Sequence, residues 1–383
     1  MNTRNGECLR PRADVEARLA QIWCRALELE QVGRGEDFFQ LGGDSLSAAQ
    51  VVVEIKRAFG VNLPLTALHD SPTVEELAAA IEQPVDPESW SPLVALQPEG
   101  SRPPFFCVHG AGGSVLGLAD LARLFAPDQP FYGVRAAGPN GYEQRCHRIE
   151  DMAAHYLAAV RRVQPVGPYY LGGYSFGGSV ALEMAQQLRK RGERVALLAI
   201  LDHIPPPIRF RRVTWSLTTP FDFVVNAARW AAADIWGAGR GRRLAALKRK
   251  AQILRKQFGN WLSRSARSGK TDVEEIFVGQ SFPECFQRLL VAHYQALRDY
   301  TPQVYDGPVT LFRARIQPLF RLHGRELGWG PLAGGGLKVV SVPGNHETFL
   351  KQPQAQVLAE ALLAQLREAQ GSAPVRASRL LTA

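Results

Sequence analysis

Between Asp14 and Leu29 the apolar residues Val15, Leu19, Ile22, Trp23, Ala26 and Leu27 recur at helical spacing, which predicts one amphipathic helix. After a loop containing Gly33 and Gly35, a second helical pattern runs from Leu46 through Val51, Val52, Ile55 and Phe59 to a stop at Gly60. Thr73 with Glu76 three residues on, and Val74, Leu77 and Ala80 on one face, predicts a capped helix to about Ile81. These segments make a bundle of three or four short helices. Residues 83–104 then hold six prolines and no helical period, an extended linker passing into an edge element near Leu93–Leu96. From Pro104 the pattern alternates, with strands at 104–108, 131–134, 169–171 and 195–201 separated by helices near 116–125, 152–163 and 177–191. About a hundred residues later, strands follow at 308–313 and 337–342. Strand and helix in alternation argue for a parallel sheet covered on both faces.

With 383 residues, 46% of them hydrophobic, the chain can bury the cores of two or three domains. The formal net charge of +9 would suggest nucleic acid or an anionic surface, but it is local. Residues 1–85 sum to −5, 86–208 to 0, 209–270 to +13 and 271–383 to +1. The acidic front bundle is a poor DNA-binding head. No window is apolar enough for a signal peptide or a membrane span, so a cytoplasmic protein without a transmembrane segment is expected. Cys8, Cys24, Cys107, Cys146 and Cys285 lack metal or disulfide spacing, and no Walker loop or GxGxxG is present. No metal and no nucleotide are expected.

Chemistry enters first at Asp37-Phe-Phe-Gln-Leu-Gly-Gly-Asp-Ser-Leu46. Two glycines permit a tight turn, and Ser45 follows at the start of a helix, where free N–H groups and the dipole favour an anion. On local physics alone Asp44 or Ser45 could simply cap that helix. The segment resembles the DxFFxLGGDSL motif of acyl and peptidyl carrier domains, especially those of nonribosomal peptide synthetases, across residues 13–83. The resemblance implies a covalent 4′-phosphopantetheine on Ser45, attached by a phosphopantetheinyl transferase. Many such carriers have His where Asp44 stands, which leaves the upstream partner open.

The second motif is Gly173-Tyr-Ser-Phe-Gly-Gly178. A serine on a sharp strand-to-helix turn needs small residues two positions to either side, and the pattern supplies them between an apolar strand and a helix. A serine also needs an imidazole base held by an acceptor, in the chain order serine, acid, histidine. His346 follows the strand Leu337–Val342 through Pro343-Gly-Asn345, whereas His323 sits in a loop that no strand enters. Asp202 ends the strand 195–201; the competing Glu326 lies well beyond the end of 308–313. Asp202 is preferred by position, with strand-end capping or pairing to an arginine as its bland alternative. Backbone N–H groups of Phe176 and Ala111, the latter in His109-Gly-Ala-Gly-Gly113, would form an oxyanion hole. His109 is expected to be a structural hydrogen-bonding group.

These residues, with the entry SPLVALQPEGSRPPFFCVHGAGG, the LLAILD, LFRAR and GWG segments and VPGNHETFL, resemble the type I thioesterase domains that end nonribosomal peptide and related polyketide assembly lines. Those are α/β-hydrolases. The resemblance implies a small all-α four-helix carrier bundle (13–83), a linker (84–104), and an α/β-hydrolase thioesterase (91–368). A helical lid would span about 203–300, with a flexible tail over 369–383. It further implies a serine thioesterase that takes the acyl chain from the Ser45 arm onto Ser175 and releases it to water or an internal nucleophile. The acyl chain would be supplied by upstream adenylation, condensation or other loading enzymes.

The lid interval holds Trp215, Phe221, Trp230 and Trp236, then Leu247, Ala251, Leu254, Phe258 and Trp261 as one apolar stripe among Lys and Arg. That face could be a solvated surface, lie on an anionic membrane, or attract the acidic carrier; the last is preferred among the functional readings, since both charges occur in one chain. Two other functions compete. One is an editing hydrolase that clears stalled thioesters, against which the fused carrier argues. The other is a non-enzymatic scaffold with a basic nucleic-acid or membrane-surface patch.

Overall fold

The computed structural model describes residues 3–4, 7–8, 12–43, 45–61, 63, 67–82, 91–136, 147–206, 284–317 and 324–371. A two-residue ladder, β1 (Thr3–Arg4) with β2 (Glu7–Cys8), precedes helices α1 (Arg12–Leu27), α2 (Ser45–Phe59), α3 (Ala67–Asp70) and α4 (Val74–Glu82). Val15, Leu19, Ile22 and Trp23 of α1 share one apolar cluster with Val51, Val52 and Ile55 of α2 and Val74 and Leu77 of α4. Phe38, fully buried, closes this core edge-on to Trp23 at 4.9 Å between ring centroids. Burial of such side chains contributes roughly 1.5–3 kcal/mol each. The expected cap at Thr73 is a reciprocal box. The Glu76 N–H donates to Thr73 Oγ1 at 3.2 Å and the Thr73 N–H to Glu76 Oε2 at 3.2 Å. The position of the short α3 was not given by the sequence pattern, because four residues are too few to show a period.

The glycine pair before α2 has a steric cause. Gly42 holds φ +96°, and a Cβ on Gly43 would run into the Phe38 ring. The aromatic pair in the motif thus serves the core, while the glycines let the chain pass over it into α2.

The second body is a seven-stranded sheet with the order β3-β5-β4-β6-β7-β8-β9. Its strands are β3 (Leu93–Gln97), β4 (Phe105–Val108), β5 (Phe131–Val134), β6 (Tyr169–Tyr174), β7 (Val195–Leu201), β8 (Val309–Ala314) and β9 (Leu337–Val342). The edge strand β3 runs antiparallel to β5, and all other pairings are parallel. Alternate side chains enter two cores. Phe106, Val108, Leu171, Leu198 and Ile200 face α6 (Ile149–Val163) and α7 (Gly177–Lys190). Phe105, Cys107, Tyr170, Ala199 and Leu201 face α5 (Ala119–Arg123) and α9 (Gln354–Gly371). A mostly parallel sheet with helices on both faces fits the α/β-hydrolase expectation.

Two elements differ from the sequence pattern. β6 continues three residues past Leu171, because Gly172 and Gly173 carry no side chain for a hydrophobic pattern to register; a Cβ on Gly172 would meet the Phe105 ring. The helix expected at 116–125 is a 3-10 turn at Leu116–Leu118 followed by the five-residue α5. Gly117 weakens helix there.

The insertion between β7 and β8 ends in α8 (Glu284–Asp299), whose Ala296 and Leu297 belong to the first core. The expected lid therefore closes on a helix that is part of the body. Residues 207–283, with the basic segment and its apolar stripe, lie outside the described residues, as do the first part of the linker (84–90), His323, Cys146 and the tail beyond 371.

Gly177 begins α7 where a Cβ would collide with the carbonyls of His109 and Val108. Alanine in place of a helical glycine ordinarily stabilises by about 1 kcal/mol. Here Gly177→Ala is expected to destabilise by about 1–3 kcal/mol through overpacking. Urea unfolding followed by circular dichroism checks the sign, and an unchanged or raised midpoint would contradict the steric reading.

Candidate active site

β6 delivers Ser175 directly, and α7 starts two residues later. Ser175 holds φ +52°, rarely adopted by a residue with a side chain. Its N–H donates to Leu201 O of the neighbouring strand at 2.9 Å, while its carbonyl accepts from the Gly178 N–H at 2.9 Å. The turn is fixed on both sides. A Cβ on Gly173 would strike Gly177, so the glycines flanking Ser175 are in mutual contact across the turn.

β7 delivers Asp202, also at positive φ (+49°). Its N–H donates to Phe312 O on β8 at 2.8 Å. The carboxylate, 4% exposed, spends its two oxygens differently. Oδ1 accepts from the Ala314 N–H at 2.8 Å and from Gln317 Nε2 at 3.1 Å, whereas Oδ2 faces His346 Nδ1 at 2.8 Å. Two donors on one oxygen aim the other at the imidazole.

β9 delivers His346 through a turn that Asn345 organises. The Asn345 Oδ1 accepts from the backbone N–H groups of Glu347 and Thr348 at 3.0 and 2.9 Å. The imidazole ring stacks on Tyr174, 5.1 Å between centroids at 19°, and Tyr174 Oη donates to the His346 carbonyl at 2.7 Å. Burial and the Asp202 carboxylate push the Tyr174 phenol pKa up, which keeps it a neutral donor. His346 Nε2 then lies 3.0 Å from Ser175 Oγ. The carboxylate can only accept, so Nδ1 donates to it, and in the neutral ring that tautomer leaves Nε2 to accept from the hydroxyl.

Spacing had singled out Ser175, Asp202 and His346, and the structure brings all three into one chain of hydrogen bonds from the ends of β6, β7 and β9. Glu326 is not the carboxylate that meets the imidazole. Ser45 opens α2 as expected, with its side chain outside the described residues.

His109 makes a structural pairing. Its Nε2 accepts from Tyr156 Oη at 2.9 Å and its Nδ1 donates to Gly110 O at 2.6 Å. Sequence reasoning did not find Tyr174, Gln317, His203 or His293. His203 is fully buried, with Nε2 2.7 Å from Ser179 Oγ and its carbonyl accepting from Trp329 Nε1 at 2.7 Å. This ties the residue after Asp202 to the first turn of α7, behind Ser175. His293 on α8 stacks on Phe176 at 4.6 Å and on His109 at 5.2 Å. Of these, Tyr174 lies within the quoted Gly173–Gly178 motif, and the partner of His203, Trp329, within the GWG segment, but the sequence pattern assigned neither a role.

Among the described residues no group of His, Cys, Asp and Glu could hold a metal ion, and no helix is long and apolar enough to cross a membrane.

A thioesterase-domain model matches residues 103–217, and a phosphopantetheine-attachment-site model matches residues 17–81. The chain joins a phosphopantetheine carrier domain to a thioesterase domain. Its sequence is 43% identical over 194 residues to malpibaldin synthetase of Mortierella alpina, covering 50% of this chain and 4% of that protein. It is 31% identical over 351 residues to a dimodular nonribosomal peptide synthase of Bacillus subtilis (strain 168), covering 91% of this chain and 14% of that one. The carrier-thioesterase pair thus spans a small fraction of the length of these curated relatives. A solved four-domain holo nonribosomal peptide synthetase bound to AMP and glycine matches 94% of this chain and 27% of its own, with a TM-score of 0.53 and 24% identity. At that identity the likeness concerns the fold.

Burial lowers the pKa of His109 to about 3, helped by its neighbour His293, and that of His293 to about 4. Both rings stay neutral in the thioesterase domain well below the ordinary histidine value of about 6.5. Below that value the unfolded chain binds protons that the folded one refuses. Stability should therefore fall as pH drops from about 6.5 towards 4, by on the order of 1 kcal/mol per pH unit for each ring. Urea midpoints at pH 7, 6 and 5 measure this, and a midpoint constant down to pH 4.5 would contradict it.

Proposed function

We propose that this chain is a terminal carrier-thioesterase of a nonribosomal peptide or hybrid polyketide pathway, acting by serine chemistry. The observation that carries the reading is the hydrogen-bond chain Ser175 Oγ to His346 Nε2 at 3.0 Å and His346 Nδ1 to Asp202 Oδ2 at 2.8 Å. A hydroxyl bonded to an imidazole that a carboxylate orients is the activated nucleophile of acyl transfer.

Ser45 carries the phosphopantetheine. It stands at the first position of a fifteen-residue helix, behind a glycine turn that sterics require, and a phosphodiester fits the positive end of that helix. When attached, the arm supplies a thiol that bears the acyl or peptidyl chain as a thioester. Ser175 Oγ attacks the thioester carbonyl carbon while His346 Nε2 takes the hydroxyl proton. The N–H groups of Phe176 and Ala111 receive the developing oxyanion. Asp202 stabilises the imidazolium and fixes its tautomer. As the C–S bond breaks, His346 returns the proton to the departing sulfur, leaving an ester on Ser175. Water or an internal amine or hydroxyl then attacks that ester, its proton passing through His346 to the Ser175 oxygen as product leaves. A four-helix carrier and a lid over residues 203–300 complete this reading. The fused carrier favours product release over the editing of stalled chains.

Ser175→Ala or His346→Ala is expected to lower kcat/KM on an aminoacyl N-acetylcysteamine thioester by roughly 10⁴–10⁶. Incubation with coenzyme A and a phosphopantetheinyl transferase should add one pantetheine mass to the parent chain and none to Ser45→Ala. Turnover that survives Ser175→Ala would remove the serine mechanism, and uptake by Ser45→Ala would remove the attachment site.

The acidic carrier segment and the basic stretch 209–270 support electrostatic docking between them. Replacing Lys248, Arg249 and Lys250 with Gln should slow transfer from loaded Ser45 several-fold and flatten its salt dependence. Unchanged transfer kinetics would leave that charge a solvated surface.

A further inference from the structure

The two successive peptides on either side of Ala111, the first of which would present the Ala111 N–H, are held by two buried histidines from distant parts of the chain. The carbonyl of that peptide belongs to Gly110. It accepts from His109 Nδ1 at 2.6 Å and from the Gly113 N–H at 3.0 Å. In a trans peptide the N–H points opposite to the carbonyl, so fixing Gly110 O fixes the direction of the Ala111 N–H. The next peptide is fixed from elsewhere. Its carbonyl, Ala111 O, faces His293 Nδ1 at 2.6 Å across a sequence separation of 182 residues. A carbonyl can only accept, so Nδ1 carries the proton, and burial keeps the ring neutral.

His293 also reaches the other half of the site. Its ring lies nearly parallel to Phe176, at 4.6 Å and 20°, and to His109 on its own account, at 5.2 Å and 25°. Phe176 is the residue whose N–H would be the second donor. The helix that bears His293 presses on the same loop a second time, because a Cβ on Gly113 would meet Leu289 Cδ2 at 2.9 Å. His293 thus touches both the Ala111 loop and the Phe176 ring, as His109 does from within the loop at 5.8 Å from Phe176, and it reaches them from α8, the closing helix of the insertion between β7 and β8.

We propose that His293 is a positioning residue of the oxyanion hole, holding the Ala111 carbonyl by its Nδ1–H and seating Phe176 by its ring, so that both backbone donors keep one geometry relative to Ser175. This rests on the serine thioesterase reading above. His293 touches no reacting atom; it acts through the loop. Its place on α8 makes the closing end of the insertion a determinant of the rate of acyl transfer as well as of access.

Asn and Leu are close in shape and differ in the donor, so His293→Asn and His293→Leu form a matched pair. Acylation and turnover are followed with an aminoacyl N-acetylcysteamine thioester, with folding verified by circular dichroism and concentrations corrected for the folded fraction. Loss of one oxyanion donor costs about 10²–10³ in kcat, and misplacing it should cost less. His293→Leu is expected to lower kcat about 10–100-fold with KM within about twofold, while His293→Asn stays within about fivefold of the parent. Equal kcat values for the two variants, or an effect carried by KM, would overturn the proposal. Should His293→Leu fail to fold, His293→Phe keeps the ring without the donor and takes its place under the same criterion. The parent chain separates the two levels. If it forms no ester on Ser175 the serine reading itself fails, and if it does while His293→Leu matches it, only the role of His293 falls.

Discussion

Ser175 is held at φ +52°, and the thioesterase domain is arranged around that constraint. A side-chain-bearing residue in the left-handed region costs on the order of 1–3 kcal/mol and persists only where its surroundings over-determine it. The surroundings here are specific. β6 is locked between β4 and β7 in parallel register, Ser175 N–H bonds across to Leu201, and Gly173 and Gly177 occupy a contact that would admit no Cβ. Phe176 and the first turns of α7 are fully inside the core. The strain turns Oγ out of the strand end towards His346 Nε2, 3.0 Å away.

The same device recurs one strand away. Asp202 holds φ +49° and bonds across to Phe312, so the strand ends of β6, β7 and β8 are stitched laterally just where each chain turns. Behind them, Ser179, His203 and Trp329 form a buried chain that joins α7 to the turn after β7 and to the 3-10 turn Gly330–Leu332 before β9. The supporting contacts for Ser175 and Asp202 are therefore shared, and displacement of one turn would be felt by the other. Asp202 aims Oδ2 at His346 because Ala314 and Gln317 occupy Oδ1.

Much of this arrangement was legible in the chain. Glycines around Ser175 follow from the sharp turn, Asp202 and His346 from their places at strand ends, and the Thr73 cap from a three-residue spacing that local hydrogen bonding dictates. What escaped detection had no local signal. His293 lies 182 positions from the carbonyl it holds, inside the insertion between β7 and β8. Gln317 reaches Asp202 across 115 positions. The last three residues of β6 were missed because glycine is silent in a hydrophobic pattern.

The central claim is that one chain passes an acyl group from Ser45 to Ser175. It is tested most directly by loading the Ser45 arm with an isotopically labelled aminoacyl group, quenching in acid at successive times, and locating the label by peptide mass mapping. The account predicts that label leaves the peptide containing Ser45, appears transiently on the peptide containing Ser175, and only then reaches released product. Product that accumulates while the Ser175 peptide stays unlabelled at every time, with Ser175→Ala releasing product at the same rate, would contradict it.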